Sequence, residues 1–205
     1  MSAQELWIRN RDLADACLAH PFVQGIASGA LSLERFRVYI GQDVYFLEAF
    51  ARAYALAAAK SPDREGLAVF KDLLVGVFDE LSLHESYAKR WGVSLDPAPL
   101  PATRTYTDFL LRTASLDPVG HTAAALVPCM RLYAFLGQEL VSKLDPESAY
   151  GEWVETYASP EVETLAARLE GLFDQYGGEP ETLARLYRQA MEFELAFFQS
   201  AWDEG

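Results

Sequence analysis

The sequence predicts an all-α protein, a single-domain helical bundle spanning residues 1–205. Three observations carry that reading. Apolar residues recur every three or four positions, no stretch alternates like a half-buried strand, and Pro, Gly, Ser and Asp gather at intervals fitting helix ends. A chain of this length supports one domain, and 51% hydrophobic residues supply the core.

A first helix ends at the HPFVQGIASG segment from His20, which reads as a break. A second runs from near Leu33 to Lys60. Ser61-Pro62-Asp63 reads as an N-cap, a proline at N1 and an acid in the first turn. That third helix continues to Trp91 and gives way to the proline-rich GVSLDPAPLPAT loop. A fourth covers about Thr103 to Ser115, and a fifth follows DPVG to about Leu144. Ser159-Pro160-Glu161 opens a later helix closed by Gly177-Gly178, and the last runs from near Pro180 to Trp202.

The net charge of −13, from 30 acidic and 17 basic residues, opposes a phosphate backbone or an anionic membrane surface. Neither nucleic acid nor a membrane is therefore an expected partner, and the charge reads as solubility. Two cysteines, Cys17 and Cys129, are too few for a secreted disulfide scaffold. The first twenty residues carry charges at Glu5, Arg9, Arg11 and Asp12 in place of an apolar signal core, and no uncharged run approaches the ~18 residues of a membrane helix. The expected location is the cytoplasm.

Function is sought where patterning is violated. On the second helix Phe36, Ile40, Asp43, Leu47, Phe50 and Tyr54 share a face, so Asp43 points at the core. On the last helix Glu194 is the one charge in a stripe of Leu183, Tyr187, Ala190, Met191, Phe197, Phe198 and Ala201. Burial there should raise its pKa and suit it to proton transfer near neutrality. In the fifth helix Pro128 sits mid-helix before Cys129, with Tyr133 one turn on. The third helix carries Glu80 and His84 four apart on a mostly apolar stripe; a mutually satisfied core pair is favoured there over a metal site. His20 and His121 read as capping or surface residues. Cys17 has nothing nearby to activate it. A buried cysteine is usually inert and a buried carboxylate often structural, so patterning alone stops at a bundle with an acid-lined, thiol-containing pocket.

Taken together, the segments resemble the TenA family (thiaminase II, aminopyrimidine aminohydrolase). HPFVQGIASGALSLERFRVYIGQDVYF resembles the family's HPF…Q-D block, LVPCMRLYAFLG its P-C-x-x-x-Y motif and GEWVETYAS its W-x-x-x-Y segment. MEFELAFFQSAW resembles the helix bearing its acidic residue. The resemblance implies a haem-oxygenase-like fold and a cofactor-free, metal-free homotetramer. It also implies hydrolysis of 4-amino-5-aminomethyl-2-methylpyrimidine, with thiamine as a further substrate. Cys129 then corresponds to the nucleophile, Glu194 to the proton donor and Asp43 to the carboxylate that holds the pyrimidine. Tyr106, Tyr133 and Tyr157 correspond to pocket tyrosines. Phe46 stands in the pocket where the family commonly has a tyrosine, and Met130 and Arg131 replace residues that are often aromatic. Two rival readings remain: a metal-dependent oxidase or oxygenase on the same fold, and a helical regulatory or interaction protein.

Overall fold

The computed structural model describes residues 1–205 as ten helices with no strand. They are α1 (Ala3–Arg9), α2 (Arg11–Ala19), α3 (Pro21–Ser28), α4 (Leu33–Lys60), α5 (Arg64–Trp91), α6 (Pro101–Leu116), α7 (Val119–Val141), α8 (Gly151–Tyr157), α9 (Pro160–Tyr176) and α10 (Pro180–Glu204). The α4 helix packs against α5 and α6, and α7 lies between α9 and α10 with α8 across it. The α10 helix closes the other side against α4, α6 and the short N-terminal helices. One continuous core of 51 buried apolar residues joins them all.

Capping chemistry sets the boundaries. Ser32 and Ser159 accept from the backbone N–H groups of Arg35 and Val162. Glu179 accepts from those of Glu181 and Thr182, with Pro180 at N1. The Lys60 ammonium reaches across to the carbonyls of Ala114, Ser115 and Asp117 at 2.6, 2.9 and 2.8 Å, satisfying acceptors that the end of α6 leaves open.

Four local expectations are corrected. The first helix is two, α1 and α2, meeting at Asn10, whose side-chain amide donates to the Leu6 carbonyl at 2.8 Å. HPFVQGIASG is not a break but holds α3: His20 caps it by accepting from the Phe22 N–H, Pro21 takes N1, and Gly29 ends it at φ 72°. Proline and glycine thus punctuate the ends of a helix here. At the start of α5 the cap is Asp63, accepting from the Gly66 N–H at 2.9 Å, so Ser61 and Pro62 lie outside the helix. The α8 helix, within the GEWVETYAS segment, has no counterpart in the helices read from periodicity; its seven residues are too short to show a period.

The α7 helix runs through Pro128 without ending. By length and composition it is apolar enough to cross a membrane, yet 72% of that stretch is buried between neighbouring helices. One close approach on α7 places the helix that carries Tyr157. A Cβ on Gly137 would overlap the Tyr157 carbonyl carbon and the Ala158 nitrogen. The absent side chain lets α8 sit directly on α7. Gly137→Ala should therefore push α8 outward and lower the unfolding free energy by roughly 1–3 kcal/mol, as overpacking does, in urea titrations monitored by circular dichroism.

Candidate active site

A cavity of about 310 Å³ opens between α4, α5, α7, α8 and α9. The α4 helix contributes Asp43, Phe46, Phe50 and Tyr54 at three- and four-residue spacing, which aligns them along one face. Val77 and Glu80 come from α5, Cys129, Met130 and Tyr133 from α7, Tyr157 from α8, and Val162 and Leu165 from α9. The lining contains no lysine, arginine or histidine, while Asp43, Asp79, Glu80 and Glu161 all border it. The cavity is apolar with acids, suited to a flat aromatic ring that carries or acquires positive charge.

Cys129 stands in the wall, and Glu194 lies behind it on α10, close enough for its charge to act on the thiol. Glu194 is 1% exposed. Its Oε1 accepts from the Tyr106 hydroxyl at 2.7 Å. Burial raises the Glu194 carboxyl to about 7; the Tyr106 hydrogen bond and the neighbouring Cys129 thiol oppose that rise without cancelling it. Burial also pushes the Cys129 thiol well above its ordinary value, and the neighbouring Glu194 charge adds to the effect. A standing thiolate is therefore disfavoured, and any nucleophilic step there must move the thiol proton as the sulfur reacts.

At the other end of the cavity Asp43 Oδ2 lies 2.7 Å from His84 Nε2. His84 Nδ1 is 2.9 Å from the Glu80 main-chain carbonyl, an acceptor only, so Nδ1 carries a proton. Burial pulls the His84 pKa down, but the hydrogen bond and charge of Asp43 outweigh it and the net shift is upward. The His84 imidazole therefore favours its protonated form more than a free imidazole does, and its hydrogen bond fixes Asp43 in the cavity wall. The pairing expected within α5 does not occur: the Glu80 carboxylate accepts from the Tyr157 hydroxyl instead. Local spacing placed Glu80 and His84 on one face, but their side-chain partners come from α8 and α4.

Asp43, Phe46, Cys129, Tyr133 and Tyr157 all border the cavity. Tyr106 and Glu194 do not; they form a layer behind Cys129 and Phe46, where the Tyr106 ring packs 4.7 Å from that of Phe46. Tyr133 is joined to Tyr39, whose hydroxyl donates to it at 3.2 Å and accepts from the Trp153 indole N–H at 3.2 Å. Met130 lines the cavity, whereas Arg131 turns away to Glu163 and Glu170 on α9 at 2.8 and 2.7 Å. His20 is buried as a cap. Cys17 is buried too, its thiol pushed upward by desolvation and then by the Glu194 charge. Sequence reasoning missed Glu80 and Tyr54 as cavity residues. The signal for Tyr54 was present, since it falls on the Asp43 face. No group of three or more His, Cys, Asp or Glu side chains converges as a metal site would require.

An all-helical bundle built this way, with a thiol and a buried carboxyl meeting at an internal cavity, is a protein of the haem-oxygenase-like fold. A protein from Shewanella denitrificans described as having that fold superposes with a TM-score of 0.77 at 14% identity, over 100% of this chain and 93% of its own. The chain belongs to the TENA/THI-4/PQQC family, which it matches over residues 7–204. A TenA homologue from Pyrococcus furiosus superposes with a TM-score of 0.91 at 26% identity, covering 98% of this chain and 100% of its own. The aminopyrimidine aminohydrolase of Halalkalibacterium halodurans is 30% identical over 98% of this chain and 96% of its own length. The mitochondrial bifunctional TH2 protein of Arabidopsis thaliana is 36% identical over 96% of this chain, which spans 36% of TH2.

The raised Glu194 carboxyl has a consequence for stability. A group whose folded pKa lies above its unfolded value stabilises the fold fully below the unfolded pKa, and that contribution is lost as pH rises through the folded one. For Glu194 the window runs from about 4.5 to about 7. Glu194→Gln, neutral throughout, should be stabilised relative to the parent by on the order of 2 kcal/mol more at pH 8 than at pH 4.5. Urea melts of both proteins across that range test it, and parallel curves would contradict it.

Proposed function

We propose that this protein hydrolyses 4-amino-5-aminomethyl-2-methylpyrimidine to the 5-hydroxymethyl compound and cleaves thiamine at the same carbon, in thiamine salvage. Membership of the family and the aminohydrolase activity for which the H. halodurans relative is named support the substrate class. One observation carries the mechanism: Cys129 borders the cavity while Glu194, its carboxyl raised to about 7, lies directly behind it.

The ring lies among Phe46, Tyr133 and Tyr157, with its amino edge on the Asp43 carboxyl, which His84 holds in place. The Cys129 sulfur adds to the ring carbon beside the one bearing the aminomethyl group, and its proton passes to Glu194. The exocyclic amino group then pushes electrons through the ring and expels the aminomethyl nitrogen, which takes the proton from Glu194 and leaves as ammonia. Asp43 balances the positive charge that develops on the amino group. Water adds to the exposed methylene and loses a proton to Glu194. The ring finally expels the sulfur, which recovers that proton. One amine and one water give one alcohol and one ammonia, with Glu194 alternating between base and acid. Its pKa near 7 suits both roles.

The chemistry needs no redox partner or Lewis acid, in keeping with the absence of a convergent ligand set. We further propose a homotetramer in the cytoplasm. Exposed Leu67, Val75 and Phe78 on α5, with Tyr45 on α4, offer apolar surface for subunit contacts. Light scattering showing a stable monomer would refute the assembly.

Cys129→Ser should fold normally and lose nearly all hydrolysis of the aminomethylpyrimidine in a product assay, because the alcohol is a far weaker nucleophile. Glu194→Gln should still bind the pyrimidine while kcat falls by roughly 10²- to 10⁴-fold. Wild-type turnover in either variant would overturn the covalent acid–base scheme. Exhaustive chelation should leave activity intact, and loss restored specifically by iron would favour an oxidase instead.

A further inference from the structure

The proposed reaction leaves one buried acid unused. Glu80 borders the cavity from α5. One of its oxygens accepts from the Tyr157 hydroxyl, and the other makes no hydrogen bond within the chain. The charge of Asp43 lies close enough to act on it, and no cation lines the cavity to neutralise either acid. Asp43 already has His84 as its counter-ion. His84 hydrogen-bonds Asp43 and reaches Glu80 only through its charge, so the cavity offers two carboxyls of different character: one tied to an imidazole, the other with an unpartnered oxygen free to hold a proton.

Addition of sulfur to an aromatic ring carbon demands such a proton. When a nucleophile enters the carbon of a C=N bond, the π pair moves to nitrogen, and the adduct collapses back unless that nitrogen is protonated. Glu194 cannot supply this proton, since it is receiving the one from the thiol. Building on the proposed aminopyrimidine reaction, we propose that Glu80 is a further catalytic residue: the acid that protonates the ring nitrogen next to the attacked carbon as Cys129 adds. The Glu80 proton forms the N–H bond, the C=N π pair becomes the nitrogen lone pair, and Glu80 remains as a carboxylate accepting from Tyr157. When sulfur departs, the N–H electrons re-form C=N and the proton returns to Glu80. No proton is consumed over the cycle. Burial, reinforced by the Asp43 charge, raises Glu80 to about 7, which keeps a substantial protonated fraction available at neutral pH.

The test is Glu80→Gln, which keeps the size and the hydrogen bond from Tyr157 but has no transferable proton, with Glu80→Asp as the conservative partner. Steady-state hydrolysis of the aminomethylpyrimidine and of thiamine is measured for each. The absorption spectrum of bound 4-amino-5-hydroxymethyl-2-methylpyrimidine, which shifts on ring protonation, is recorded alongside. Glu80→Gln should bind this product within about tenfold of the parent, lose roughly 10²- to 10³-fold in kcat on both substrates alike, and shift the bound spectrum toward the neutral ring. Glu80→Asp should recover part of the rate. Unchanged kcat, or an unchanged bound spectrum, would overturn the proposal. A loss confined to one substrate would do so as well, because it would place Glu80 at the leaving group. If the parent protein hydrolyses neither compound but still binds the pyrimidine, the proposed function fails while the spectrum continues to decide Glu80. A parent that binds no aminopyrimidine overturns both.

Discussion

The Glu194 carboxyl, sealed between α10 and α7 and tied to Tyr106, is the constraint around which the active-site half of the bundle is arranged. An acid in this place is tolerable only if it is mostly neutral near pH 7 or if every lone pair is met. The protein relies on the first route, with the carboxyl raised to about 7, and meets part of the second through the Tyr106 hydroxyl. The aromatic shell follows from that requirement. The rings of Phe46, Tyr106, Phe193 and Phe197 pack against one another in this layer, and Phe46 alone of them borders the cavity.

The two ends of the cavity are electrostatically unlike. At one end His84 holds Asp43 through a buried 2.7 Å hydrogen bond. At the other, Glu194 stands behind the Cys129 thiol with its carboxyl raised to about 7. In the proposed reaction, a ring spanning the two has a hydrogen-bonded acid at its amino edge and a group able to take or give a proton beside its reactive carbon. The proposed ring addition asks for that polarity, and residues on five helices supply it, with Ser159 in the α8–α9 turn the one lining residue outside a helix.

Much of this was legible in the sequence because the telling residues break a local pattern. Asp43 and Glu194 each interrupt an apolar face, and Pro128 beside Cys129 interrupts a helix; each violation shows in a window of a dozen residues. What could not be read depends on partners distant in the chain. His84 belongs with Asp43 of α4, and Glu80 with Tyr157 of α8, although four-residue spacing suggested that they satisfied one another. Tyr106 is conspicuous as an aromatic, yet only the packing of α6 against α10 shows that it stands behind the cavity and not in it. The α3 helix was hidden for a different reason: its proline and glycine mark its two ends, and in so short an element the ends are most of the signal.

Arg131 follows Cys129 by two residues and joins α7 to α9 through two carboxylates, with Gln138 adding a hydrogen bond to Glu163. The guanidinium is 15% exposed, so this is a partly dehydrated network and not a loose surface pair. The dehydration penalty of such a network shrinks on heating, because the hydration of ions becomes less favourable as temperature rises. The wall formed by Val162 and Leu165 is therefore fastened by a clasp that loosens less with warmth than the apolar contacts around it.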